Sequence, residues 1–184
     1  MAESSAPSDE LDPVSQFPLL YQREYSAVYR TVRAIVLDAS EAEDVTQDSF
    51  AKAYRARARY RPTAPVGAWL HRIAVNTALS HLRRRRLSRL LPARLFQPAD
   101  DRDYLRSEAR DACEVALAGL SPQLRAAVVL QYFHDYSREE TARILGIPSG
   151  TVASRTAKAM ALMRAKMTSP EQIPLVVSSL SRHG

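Results

Sequence analysis

The sequence predicts an all-α protein: two small helical domains joined by a flexible linker. Three observations carry this. Apolar residues recur at steps of three and four along several stretches. No stretch sustains apolar/polar alternation, and β-hairpin dipeptides such as Asn-Gly are absent. A segment with Pro92, Pro98 and the run Asp100-Asp101-Arg102-Asp103 interrupts the helical pattern. At 184 residues, 46% hydrophobic and 25% charged, the chain suits one ordinary domain or two small ones, not wholesale disorder.

Residues 1–13 are acidic and polar and read as a disordered tail. From about Asp12 the pattern becomes helical, with Tyr21, Tyr25, Val28, Tyr29, Val32, Ile35 and Val36 on one stripe. A second helix starts near Ser40, a candidate cap, with Glu41, Glu43 and Asp44 in its first turn, where the helix dipole favours acids. Its apolar side holds Val45, Phe50, Ala53 and Tyr54, and it fades in the basic run 55–61. Pro62, Pro65 and Gly67 mark a loop. A third helix, 66–86, buries Leu70, Ile73, Ala74, Thr77, Ala78 and Leu82 and ends in Arg83-Arg84-Arg85-Arg86, more cations than capping requires. Trp69, beside Leu70 at the helix start, reads as core. The first domain is thus 14–86 and the linker 87–111. Helical periodicity returns over 112–168, where Ser121-Pro122 reads as a cap followed by a first-turn proline and the helix runs to about His134. Residues 169–184 form a C-terminal tail.

Net charge is +6, but it is segregated. Residues 21–99 carry 15 bases against 6 acids and residues 136–184 carry 7 against 3, separated by an acidic stretch. Two basic blocks suggest two anion-facing modules, with nucleic acid as the first candidate. The one cysteine, Cys113, excludes an internal disulfide or a Cys-rich zinc site, and the four histidines lack metal-ligand spacing. No metal, cofactor or catalytic residue is expected, since Ser/His/Asp, paired-carboxylate and P-loop signatures are absent. No apolar run approaches the ~18 residues that span a bilayer, and the acidic N-terminus is unlike a signal peptide. No membrane insertion is expected, and the expected location is cytoplasmic.

The sharpest motif is SREETARILGIPSGTVASRTAKAMALMR at 137–164. Ser137 with Glu140 fits a capping box, and Gly146 can take the left-handed conformation that ends a helix. Ile147 and Pro148 fill the turn, and Ser149 can cap the next helix. Val152, Thr156, Ala159, Met160 and Met163 fall on its inward face; Ser149, Gly150, Thr151, Ser154, Arg155 and Lys158 face outward. This is a helix-turn-helix whose second helix can enter the major groove. Small residues let the backbone approach phosphate, and Arg155 and Lys158 can reach a base edge or the backbone.

Residues 42–54 (AEDVTQDSFAKAY), 69–78 (WLHRIAVNTA) and the basic end HLRRRR resemble conserved region 2 of bacterial extracytoplasmic-function sigma factors of the sigma-70 family. The segment SPQLRAAVVLQYFHDYSREETARILGIPSGTVASR resembles their region 4, and the blocks stand in the family's order and spacing. The resemblance implies a factor that binds core RNA polymerase through the β′ clamp helices and β flap and directs promoter-specific initiation. It implies polymerase contacts at Asp44, Gln47 and Asp48. Without the resemblance, these would read as a solvated acidic face. Family matching places Ala56, Tyr60, Ile73 and Asn76 around the pocket for an extruded −10 base, in keeping with the energetic need to bind single strand better than duplex. Arg61, Thr63, Arg72, Arg83 and Arg84 would complete the −10 contacts, and Asn76 reads equally well as an exposed helical amide. Ser149, Gly150, Thr151, Ser154, Arg155 and Lys158 would contact the −35 element. Ala153 stands where members often carry a base, so this recognition helix is poor in cations. An anti-sigma factor is a further candidate partner. The alternative is a helix-turn-helix regulator whose first module is a sensor or dimerisation bundle acting without polymerase.

Overall fold

The computed structural model describes residues 11–90 and 112–168; the tails at 1–10 and 169–184 and the linker from 91 to 111 lie outside the described residues. No strand occurs among the described residues, so the all-α expectation holds.

Helix α1 spans Phe17–Val36. It starts later than the periodicity suggests. Asp12 instead closes a turn, its carboxylate accepting from the backbone N–H of Val14 at 3.1 Å and of Ser15 at 3.0 Å. Pro18 in the first turn then sets the helix start. Phe17, Leu20, Val28, Val32, Ile35 and Val36 are buried, whereas Tyr21 lies at the rim, 39% exposed. The helix ends at Leu37, whose φ of 69° is left-handed. A side chain with a Cβ resists that conformation by about 1–2 kcal/mol. Here burial of Leu37 among Leu117, Leu120, Leu124 and Val128 offsets it.

Helix α2 spans Ala39–Ala56. Its cap is Asp38, not Ser40: Asp38 is extended and its carboxylate accepts from the Glu41 N–H at 2.8 Å. The left-handed Leu37 ends α1 one residue earlier and leaves Asp38 in the cap position, where Asp serves as well as Ser. Of the acids expected in the first turn, only Glu41 falls there. Tyr54, expected on the apolar side, is 49% exposed, with the Arg57 guanidinium 3.6 Å over its ring. A 3₁₀ turn at Arg57–Arg59 leads to the proline loop.

Helix α3 spans Val66–Leu90 and so continues four residues beyond Arg86, into the expected linker. Glu41 steadies this basic end, receiving His81 at 3.0 Å and Arg85 at 2.6 Å. Leu70, Ala74, Val75, Thr77 and Ala78 are buried; Ile73 and Leu82 only partly.

The second module comprises α4 (Ala112–Ala118), α5 (Pro122–Val128) running into a π-helical turn at Val129–Phe133, α6 (Arg138–Leu145) and α7 (Ser149–Thr168). Ser121 takes the cap position of α5, but its hydroxyl makes no capping bond. The capping box of α6 is complete: Glu140 N–H donates to Ser137 Oγ at 3.2 Å and Ser137 N–H to Glu140 Oε2 at 2.8 Å. Gly146 ends α6 at φ 65°. Helix α7 begins at Ser149 itself, with the Pro148 carbonyl accepting the first bonds from Thr151 and Val152.

The two modules pack against each other. Ala126, Leu130 and Ile144 of the second join the core built by α1, α2 and α3. Helix α1 is the shared spine: Arg33 pairs with Glu114 at 3.0 Å, and Ala34 and Leu37 pack on the second module's own core.

Candidate nucleic-acid and polymerase-binding surfaces

Asp44, Gln47 and Asp48 share one outward face of α2, because Val45, Thr46, Ser49 and Phe50 turn inward. Asp48 is paired with Lys52 at 2.7 Å, one turn on. This relieves the repulsion that acids at i and i+4 otherwise exert.

The residues expected to share one −10 pocket are divided between two concavities. Ala56, Ile73 and Asn76 line a groove between α2 and α3 of about 320 Å³, together with Lys52, Thr77 and Ser80. Tyr60 is not in it. Its hydroxyl donates to the Ala64 carbonyl at 2.8 Å, and its ring lies 5.2 Å from that of Trp69. Tyr60, Arg61, Thr63, Trp69 and Arg72 line a second cleft of about 110 Å³, whose far wall is Glu140, Arg143 and Ile144 of α6. Trp69, expected in the core, is partly buried and serves both as core packing and cleft wall. Arg72, Arg83 and Arg84 are exposed on α3. Lys52 was not anticipated; its position one turn from both Asp48 and Ala56 was the available signal.

On α7, Val152, Thr156 and Ala159 are buried, with Met160 and Met163 partly so, as the helical spacing predicts. The Thr156 hydroxyl ties the helix to Gln131 at 2.6 Å. Ser149, Gly150, Ser154 and Lys158 are exposed, and Thr151 and Arg155 half-exposed, on one face. A Cβ added to Gly150 would meet nothing, so internal packing does not demand glycine there.

Sequence reasoning missed a cluster at the junction. Thr31 of α1 and His71 of α3 meet His134 and Tyr136 of the second module. Tyr136 OH lies 2.9 Å from His71 Nδ1, Thr31 Oγ1 lies 2.6 Å from His134 Nε2, and the imidazole centroids are 4.3 Å apart. Burial lowers both histidines to about 4; for His134 the neighbouring His71 and Arg30 add to this, against Asp135 and Glu24. Burial pushes Tyr136 up to about 12, with Glu24 and Glu140 adding to the rise. Among the described residues no His/Cys/Asp/Glu group could hold a metal, and no helix is long and apolar enough to cross a membrane.

The family model described as Sigma-70 region 2 matches residues 20–88, and that described as Sigma-70 region 4 matches 110–163. Together they cover well over half of the chain. This chain is an extracytoplasmic-function member of the sigma-70 family. It is 37% identical over 145 residues to the ECF RNA polymerase sigma factor SigM of Mycobacterium tuberculosis, covering 79% of this chain and 74% of that one. It is 33% identical over 159 residues to the RNA polymerase sigma-H factor of Pseudomonas aeruginosa, covering 78% and 81%. Among solved structures, CnrH in complex with the cytosolic domain of CnrY matches with a TM-score of 0.61 at 27% identity, covering 82% of this chain and 86% of that one. The Bartonella quintana RpoE bound to the anti-sigma factor NepR shares the fold, with a TM-score of 0.69 at 24% identity over 85% and 99%. As a sigma factor, the protein binds core RNA polymerase and promoter DNA and directs promoter-specific initiation. The stand-alone regulator is not favoured, because region 2 occupies the part such a protein would need as a sensor.

Proposed function

We propose how this sigma factor divides that work among its residues. Asp44, Gln47 and Asp48 dock on the β′ clamp helices, and region 4 also meets the β flap. The groove of Ala56, Ile73 and Asn76 receives the unwound −10 strand, with Tyr60, Arg61, Thr63, Arg72, Arg83 and Arg84 on its path. Helix α7 reads the −35 duplex through Ser149, Gly150, Thr151, Ser154, Arg155 and Lys158. The supporting observation is that α2 carries both the outward acidic face and one wall of the groove. A single rigid helix thus sets melted DNA at a fixed distance from the polymerase.

The working units in this reading are residues 14–90, extended to the end of α3, and 112–168, with 91–111 as linker. The factor acts in the cytoplasm, without cofactor or covalent chemistry of its own, since the polymerase is the enzyme. An anti-sigma factor is an inferred partner, supported by the likeness to CnrH, solved with CnrY. The test is permanganate footprinting of promoter DNA with reconstituted holoenzyme. Reactive −10 thymines that require this protein and diminish in Asn76→Ala are expected; thymines equally reactive in Asn76→Ala would refute the groove assignment.

A further inference from the structure

Lys52 stands between the two surfaces just assigned. Its ammonium is 2.7 Å from Asp48 on the polymerase-facing side and 3.3 Å from the Thr77 hydroxyl within the groove. The Thr77 hydroxyl spends its own proton on the Ile73 carbonyl at 2.8 Å, so towards Lys52 it is an acceptor. The other groove-lining side chains are Ala56, Ile73, Asn76, Thr77 and Ser80, all uncharged, which makes Lys52 the cation among them. A groove that seats a base must also meet the adjoining phosphate.

We propose that Lys52 is a strand-binding residue held in check by Asp48, and that polymerase docking on Asp48 releases its charge to the DNA. The inference rests on the reading of the groove and the acidic face given above. In the free factor the carboxylate neutralises the ammonium. A basic partner surface competes for that carboxylate, and the lysine then turns wholly to the groove. Docking and strand affinity are coupled because both bias one side-chain pair.

The experiment uses the full chain and a fluorescein-labelled oligodeoxythymidylate of about 15 nucleotides, titrated over a range of salt. Asp48→Asn should tighten binding about two-fold, as breaking one exposed i,i+4 pair allows, and steepen the log–log salt slope by about 0.7, the increment for one added phosphate contact on single strands. Asp44→Asn removes the same charge from the same face without touching Lys52, and should do less. In a Lys52→Gln background the Asp48→Asn gain should vanish. Equal gains from Asp48→Asn and Asp44→Asn, or a gain that survives Lys52→Gln, would overturn the relay. Weaker binding in Asn76→Ala without any Asp48→Asn effect overturns the relay but keeps the groove; no effect from either overturns both.

Discussion

Thr31 and His134 are joined across the junction of the two modules by a 2.6 Å hydrogen bond. The Thr31 hydroxyl also lies 3.0 Å from the Ala27 carbonyl, to which it donates when His134 is protonated on Nε2. A second proton would place a positive charge in a buried contact, 4.3 Å from another imidazole.

The packing of the two modules should weaken in mild acid. Both histidines are lowered from 6.5 to about 4, so the unfolded chain takes up protons over that window while the folded chain refuses them. The stability is fully present above pH 6.5 and is lost as pH falls towards 4; for His71 alone the loss is on the order of 3 kcal/mol. His134 is more exposed and contributes less. Urea unfolding at about pH 7 and about pH 5 should show a larger drop for the wild type than for His134→Gln. Equal drops would remove the junction from the account.

Asp48→Arg, alone or with Asp44→Arg, should abolish co-purification with core polymerase while circular dichroism stays unchanged. Asp48 has its side chain 43% exposed, and its pair with Lys52 is worth only about 0.3–0.5 kcal/mol, so the fold tolerates its loss. Retained holoenzyme would move the docking face elsewhere.

Asn76→Ala should reduce promoter melting or alter −10 preference more than it affects polymerase binding. Asn76 is exposed in the groove and supports no packing, so its loss registers in DNA rather than stability. Transcription from native and −10-altered promoters checks this; an unaltered preference and rate would speak against the placement.

The turn of the helix-turn-helix can be tested by stability. Gly146→Ala puts a Cβ on a residue at φ 65° and should cost about 1–2 kcal/mol through backbone strain alone, since no neighbour lies within reach. Ser137→Ala removes the cap of α6 and should cost about 1 kcal/mol. Thermal melts that match the wild type for both would contradict the turn as described.

On α7, Lys158→Ala should weaken −35 duplex binding similarly across sequences, and Arg155→Ala should also relax preference at one position by about 1–3 kcal/mol. Competition titrations with substituted −35 duplexes separate the two.

The sequence by itself determined the helices and the turn between α6 and α7, because these depend on neighbours within four residues. Ser137 and Glu140 reach each other within one turn, and Gly146 needs no distant partner to turn left-handed. The inward face of α7 follows from spacing alone. The family's motif blocks were legible for the same reason, as unbroken local strings. Only the tertiary structure decided what lies across helices. Asp38 displaced Ser40 as cap because Leu37 found burial in the other module. Tyr60 left the groove of Ala56, Ile73 and Asn76 because the proline loop turns it onto Ala64 and Trp69. Above all, His71 and His134 meet through the packing of two modules, and no helical period relates residues so far apart in the chain.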